Sequence, residues 1–175
     1  MKKLFLCAAL AVFAFTSVNA QDTTFGATAG LSILSPDVDG GDSDSETGFH
    51  LGVFAELGLS DAFSIQPELT YAMAGDISMI ALNAIAKYHV SEEFNLQFGP
   101  QIGLAGGDDI SDIEDFLGDD FTKLNLQLAV GAGYDISEEL FVQARYGFQL
   151  NDHFTGSEDF GIKINTITVG VGYKF

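Results

Sequence analysis

Eight segments of the chain alternate apolar with small or polar residues, and this alternation constrains the fold more than any other sequence feature. In the first segment Phe25, Ala27, Ala29, Leu31 and Ile33 share one parity, while Gly, Thr and Ser occupy the other. A period of two residues is typical of β-strands, whose side chains point alternately to opposite faces. The apolar sets span residues 25–33, 49–59, 63–73, 80–90, 94–104, 124–134, 140–150 and 167–175. The sequence therefore predicts an all-β protein with eight strands.

The second face of these strands distinguishes a soluble barrel from a membrane barrel. It carries mostly Gly, Thr, Ser, Asn and Gln, and only 18% of all residues are charged, against about 25% in typical soluble domains. A small soluble barrel of the lipocalin kind would carry abundant charge on its outer face. Aromatic residues also stand near both ends of the apolar sets: Phe25, Phe63, Phe94, Tyr134 and Tyr173 at one end, and Phe49, Tyr71 and Phe148 at the other. Such girdles indicate an eight-stranded antiparallel up-and-down transmembrane β-barrel, with the soluble barrel as the alternative.

The N-terminal segment has the features of an export signal. Lys2 and Lys3 form a basic region, residues 4–18 are mostly apolar, and Val18-Asn19-Ala20 resembles a cleavage site. Cys7 lies at the start of the apolar region, whereas a lipidated cysteine should follow it. We therefore expect residues 1–20 to be a cleaved signal peptide, with a retained membrane anchor as the alternative, and residues 21–175 to form the barrel.

Short and long links between the predicted strands indicate the orientation. Residues 60–62, 91–93 and 135–139 form short links on one side, whereas residues 35–48, 105–121 and 151–161 form long links on the other, where only residues 75–78 are short. Outer-membrane barrels have short periplasmic turns and longer extracellular loops. The pattern predicts a protein of the cell outer membrane with both termini in the periplasm.

The chain ends in Val171-Gly172-Tyr173-Lys174-Phe175. Together with the signal peptide and the eight strands, this ending resembles the small outer-membrane barrels of Gram-negative bacteria, either OmpA/OmpX-like or the PorT-like outer membrane protein beta-barrel domain. The resemblance covers residues 24–175. It implies that Tyr173 and Phe175 form the recognition signal for the barrel-assembly machinery, and it leaves the activity open because these barrels have many roles.

Four charged residues have the inward parity of their strands: Glu56, Glu68, Lys87 and Arg145. An eight-stranded barrel is just wide enough for side chains to fill, and a buried charge must be paired. Counted from the periplasmic turns, Glu56 and Lys87 lie at similar heights, as do Glu68 and Arg145. We expect a lumen charge network that plugs the barrel, with conduction along a gating salt bridge as the alternative.

A weak repeat follows the three predicted periplasmic turns. Each copy has a Ser and an acid, and then an inward Gln: Gln66, Gln97 or Gln143. These glutamines either line a pore or fill a narrow lumen with hydrogen bonds. His50 and His89 share the inward parity and are interpreted as lumen residues with hydrogen-bond partners, in preference to metal ligands.

The predicted outer loops are strongly acidic. Asp37 to Glu46 contains five acids and Asp108 to Asp120 contains seven, and the whole chain has a net charge of −18. This charge argues against nucleic acid as a partner, because phosphate binding needs a basic surface. The first loop resembles part of a calcium loop without the full spacing, so solvated loops and a calcium site are both open. Ile110, Ile113, Phe116 and Leu117 have the spacing of a short helical turn.

Three classes of function fit these features. The first is a monomeric barrel with a filled polar lumen and acidic extracellular loops, which has a structural or surface-interaction role and contacts outer-membrane lipid and lipopolysaccharide. The second is a narrow porin-like channel. The third is a lipid-modifying enzyme, because the architecture resembles that of lipid A deacylases, which use a His/Ser/Glu arrangement. In this sequence His153, Thr155 and Glu158 are the nearest approach to that arrangement. We expect no catalysis, since Thr replaces Ser in a loop, and the sequence contains no cofactor motif or Cys/His metal cluster.

Overall fold

The structure is a computed structural model that describes residues 23–38, 45–118, 121–153 and 161–175. The predicted signal peptide, Cys7 and the centre of the first acidic loop lie outside these residues. Within them, no helix is long and apolar enough to cross a membrane.

Eight antiparallel strands form one closed barrel in which each strand pairs with its neighbours in sequence and β1 pairs with β8. The predicted up-and-down topology is therefore confirmed. The strands are β1 (Thr23–Val38), β2 (Glu46–Ser60), β3 (Phe63–Ala74), β4 (Ile77–His89), β5 (Phe94–Gly106), β6 (Leu124–Asp135), β7 (Leu140–Gln149) and β8 (Ile162–Lys174). Closure leaves no strand edge unpaired, as a sheet in lipid requires.

The apolar parity of every strand faces outward. Leu31, Val53, Ile102 and Val169 are all more than half exposed on the barrel surface. The eight aromatic residues of the two predicted girdles are also exposed. An apolar outer surface is typical of a barrel that lies in lipid, and the buried interior of the protein is the lumen.

The loop end of the barrel contains more regular structure than the sequence pattern indicates. Helix α1 spans Asp108–Leu117, where only a helical turn was expected. Strands β1 and β8 also pair as far as Val38 and Ile162, beyond the predicted segments. Asp37 and Lys163 are opposite each other in this ladder. These two charged residues and Pro36 interrupt the apolar alternation, so the sequence pattern did not predict the longer strands.

The lumen is polar along the middle of the barrel and apolar toward its two ends. Near the periplasmic end the rings of Phe54 and Phe141 lie inside the barrel, 5.6 Å apart and edge to face. Gly26 and Gly172 make room for them, because a Cβ at Gly172 would lie 2.0 Å from the Phe141 ring. At the extracellular end the inward residues are again apolar: Leu34, Ala74, Ile77, Met79, Ala105 and Ile164. The lumen therefore has apolar layers toward both ends.

Candidate functional site

The centre of the lumen holds a buried ion pair that spans the barrel. Arg145 on β7 donates from Nη1 to Oε2 of Glu68 on β3 over 2.7 Å. The two side chains are 5% and 1% exposed, respectively. Both belong to the inward parity, and strands β3 and β7 lie on opposite sides of an eight-stranded barrel. The pair therefore crosses the space through which a solute would have to pass.

The three glutamines of the repeat all bind this ion pair. Arg145 donates from Nε to Gln97 Oε1 and from Nη2 to Gln143 Oε1, while Gln66 donates from Nε2 to Glu68 Oε2. The amides take the place of water around two buried charges, which would otherwise be costly to desolvate. The repeat thus supplies one polar layer from three periplasmic hairpins.

A second ion-pair cluster lies near the periplasmic end. Lys87 Nζ donates to Glu56 Oε2 over 2.9 Å, and Lys87 is only 2% exposed. Glu56 also accepts a hydrogen bond from Ser64, whose hydroxyl lies 3.1 Å from Nε2 of His89. The ammonium of Lys87 additionally lies 5.0 Å from the centre of the Phe141 ring, a cation–π contact.

The charges of Lys87 and Glu56 are part of a larger group. Lys174 Nζ lies 2.8 Å from Asp135 Oδ1 and 4.0 Å from Glu56 Oε2. Lys174 and Asp135 are not among the four lumen charges predicted from the sequence, although the inward parity of Lys174 was a usable signal. The four predicted lumen charges therefore form two separate pairs. The pair nearer the periplasm, Lys87 with Glu56, is extended by Lys174 and Asp135.

Hollow spaces remain inside the described part of the barrel, and two of them bear on the site. One is a cavity of about 40 Å³ beside Glu68 and Arg145, lined also by His50, Asn83 and Asn125, which has about the volume of a few water molecules. The other is an open hollow of about 400 Å³ at the periplasmic mouth. The ion pairs and the aromatic layer described above occupy the lumen alongside these spaces.

The comparison with protein families decides the class of this chain. Residues 5–175 match the model of the outer membrane protein beta-barrel domain. The chain belongs to this family. Membership places the barrel in the cell outer membrane and confirms the family resemblance drawn from the sequence.

Solved structures of outer-membrane proteins share the fold of this family member. The barrel is similar to Ail, the attachment invasion locus protein of Yersinia pestis, with a TM-score of 0.57 and 15% identity over 89% of this chain and 100% of Ail. It is similar to Neisserial surface protein A, with a TM-score of 0.57 and 16% identity over 89% and 100% of the two chains. It is also similar to the outer membrane protein OprG from Pseudomonas aeruginosa, with a TM-score of 0.53 and 17% identity over 87% of this chain and 95% of OprG. No curated protein matches the sequence.

The predicted assembly signal lies at the periplasmic end of the barrel surface. Phe175 is 79% exposed and Tyr173 is 45% exposed, with their rings 5.7 Å apart. The backbone N–H of Phe175 donates to the carbonyl of Phe25, and the Tyr173 hydroxyl donates to Glu139. Both rings are accessible from the lipid side.

His153 lies between two extracellular loops and is fully buried. Its Nδ1 donates to the Thr122 carbonyl over 2.6 Å, so Nε2 is left to accept from Asn125 Nδ2 at 3.4 Å. Burial lowers the pKa of His153, although the hydrogen bond to Thr122 opposes the shift. Through these contacts His153 connects the two loops. Thr155 and Glu158, the other two members of the enzymatic arrangement, lie outside the described residues.

No metal centre emerges from the described part of the chain, where no three His, Cys, Asp or Glu side chains are grouped to hold an ion. His50 instead approaches the Leu31 carbonyl with Nδ1 at 3.2 Å. Part of each long acidic loop lies outside the described residues, so the calcium hypothesis stays a prediction.

Proposed function

We propose that this protein is a closed outer-membrane barrel that holds acidic loops at the cell surface, in a structural or surface-interaction role, and that it is neither an enzyme nor a pore. The single observation that carries the proposal is the contact between Arg145 and Glu68 across the lumen. An ion that passed this layer would have to displace a buried pair and the three amides around it. Such a rearrangement leaves charges uncompensated in a medium of low dielectric constant.

The apolar layers toward both ends support the same conclusion. Phe54 and Phe141 fill the lumen toward the periplasm, and the side chain of Ile110 fills its extracellular mouth. A narrow channel is the alternative function, and the hollow of about 400 Å³ at the periplasmic mouth is the feature that favours it. That hollow would serve a channel only if the layers beyond it opened.

The surface role rests on the loops. They face outward from a barrel whose wall is occupied by lipid, so they are the part of the protein that a partner can reach. One structural neighbour, Ail, is described as an attachment invasion locus protein. A surface-interaction role is therefore compatible with a barrel of this shape. The acids would bind lipopolysaccharide phosphates only through bridging divalent cations, because like charges repel. We propose a monomer inserted by the barrel-assembly machinery through Tyr173 and Phe175.

Planar-bilayer recording of the mature barrel tests the closed lumen. We expect no steady ion current from the parent protein, nor from the double variant Glu68→Ala with Arg145→Ala, in which the apolar layers toward both ends remain. A steady current from the parent would contradict the closed barrel and favour the channel.

A binding comparison tests the surface role separately. The folded barrel with intact loops is compared with a variant in which residues 107–121 are replaced by a short turn, using lipopolysaccharide vesicles with and without millimolar calcium. The intact barrel should show calcium-dependent association that is clearly weaker in the trimmed barrel. Equal association of both variants would show that this loop does not carry the binding. Mass spectrometry of lipid A from expressing cells should show no change, since we propose no lipid-modifying activity.

A further inference from the structure

The lumen cavity of about 40 Å³ lies beside the central ion pair. Glu68 and Arg145 are among the residues that line it. Met79 also lines it and belongs to the apolar layer toward the extracellular end. The aromatic pair Phe54 and Phe141 lies on the other side of the ion pair, toward the periplasm. The cavity is therefore inside the closed lumen, between the two apolar layers.

Three residues that line this cavity carry a polar atom without a hydrogen-bond partner among the described residues. The atoms are Ser32 Oγ, Asn83 Oδ1 and Asn125 Oδ1, and none of the three residues is more than 2% exposed. Buried polar groups are nearly always paired with protein or with ordered water, because an unpaired group keeps its full cost of desolvation. Two of the atoms are amide oxygens, which only accept hydrogen bonds. The ligand of this cavity must therefore be a hydrogen-bond donor.

The amide orientation of Asn125 is fixed by its contacts on the other side. Its Nδ2 donates to Gln149 Oε1 over 2.6 Å and to the Ile164 carbonyl over 3.3 Å. A turned amide would bring Oδ1 against these two oxygens, and both of them are acceptors. Oδ1 of Asn125 is therefore an acceptor that the protein contacts leave unpaired.

The size and the charge of the cavity select the ligand. One water molecule needs at least about 10–15 Å³ of such volume, so the cavity has room for about three. Pockets for organic ligands are far larger, about 300–1,000 Å³. Glu68 and Arg145 already balance each other's charge over 2.7 Å. A metal cation would add an uncompensated charge at a site of low dielectric constant, whereas water donates hydrogen bonds and adds no charge.

We propose that this cavity binds a cluster of about three water molecules, which hydrogen-bond to Ser32, Asn83 and Asn125 and hydrate the central ion pair. The plug of the lumen is then partly made of water. Because apolar layers lie toward both ends of the barrel, the cluster exchanges with bulk water only when one of these layers opens. The bound water therefore stays far longer than water at the protein surface. This inference goes beyond the closed barrel, which requires only that the lumen is blocked.

Water-to-methyl NMR of the barrel in nanodiscs detects the cluster directly. The methyl group of Ala81, which lines the cavity, should give cross-peaks to water with the opposite NOE and ROE signs of long-lived bound water. Ala105, a buried residue of the extracellular apolar layer, is the control and should give none. No cross-peak at Ala81, or equal cross-peaks at both residues, would overturn the site. A saturable shift of the Ala81 methyl when sodium replaces choline at equal ionic strength would also overturn it, because the ligand would then be a cation.

Urea unfolding of two matched variants tests the hydrogen bonds of the cluster. Ser32→Ala removes a hydroxyl that lines the cavity, whereas Thr28→Val removes a hydroxyl of the same strand that is also buried and unpaired among the described residues but does not line it. Removing a hydrogen-bonded hydroxyl destabilises a fold, while replacing an unpaired one by an apolar group is neutral or stabilising. The urea midpoint should therefore fall for Ser32→Ala and stay or rise for Thr28→Val. Equal shifts in the two variants, or a raised midpoint for Ser32→Ala, would overturn the site. The bilayer current of the parent does not depend on this hydration, so failure here is distinct from failure of the closed barrel.

Discussion

The central ion pair predicts a large and specific loss of stability when its cation is removed. Arg145→Met deletes the guanidinium and keeps most of the stem volume, so the change is mainly one of charge and hydrogen bonding. The variant leaves the Glu68 carboxylate, which is 1% exposed, with Gln66 as its remaining side-chain hydrogen-bond donor. It also leaves Gln97 Oε1 and Gln143 Oε1 without the donor they share.

The magnitude follows from the burial of the pair. Removing one partner of a buried ion pair costs about 3–5 kcal/mol, because the remaining charge is uncompensated. The Gln66 hydrogen bond persists, which favours the lower part of this range. Adding Glu68→Gln replaces the stranded charge by a neutral amide, and we expect the double variant to recover about 2 kcal/mol or more. Lys123→Met, which breaks the partly exposed pair with Glu114, should cost less than about 1 kcal/mol.

Urea unfolding in lipid vesicles is the appropriate assay. The chain contains no Trp, so the transition is followed by the mobility of the folded band on gels and by circular dichroism. The double-variant cycle gives the coupling free energy between Glu68 and Arg145 directly. Strictly additive losses, or a cost for Arg145→Met no larger than that of Lys123→Met, would refute the assignment of the ion pair as the plug.

Three further predictions concern the ends of the barrel. Deleting Phe175 should reduce insertion in cells and leave refolding in detergent nearly unchanged, because a recognition signal acts only where the assembly machinery operates; equal loss in both settings would make it a packing residue. Neutral His153 should stabilise the fold above its ordinary pKa of about 6.5, and this contribution should be lost as the pH falls through the lowered pKa of the folded state. The difference in unfolding free energy between the parent and His153→Asn should therefore shrink from pH 8 to pH 5. A constant difference would contradict this prediction. Gly172→Ala should destabilise the barrel by about 1–3 kcal/mol, because its Cβ would overlap the Phe141 ring. Gly106→Ala is the control in the same urea titration and should cost clearly less, since its Cβ would lie 3.3 Å from a serine hydroxyl.

Some of this architecture is local enough to be predicted from the sequence. The parity of residues such as Leu51 and Val53 follows from strand geometry alone, and lipid demands an apolar outer face whichever strands are neighbours. The inward parity of Glu68 and Arg145 follows in the same way. The length of helix α1 was underestimated because its acidic sequence has only a short apolar stripe, and because Ile110 needs the inward apolar residues of a closed barrel, such as Ile77 and Ile164, to pack against.

The sequence by itself determined the number of strands, their inward and outward faces, and the membrane as the solvent, because each depends on a two-residue period that is visible within one segment. Only the tertiary structure decided which inward side chains meet. Phe54 and Phe141 occupy polar-parity positions on separate strands, and their contact depends on glycines in two other strands, Gly26 and Gly172. The convergence of three glutamines on one ion pair likewise depends on the stagger between strands. Stagger is a property of closure, since it is fixed only when the last strand pairs with the first.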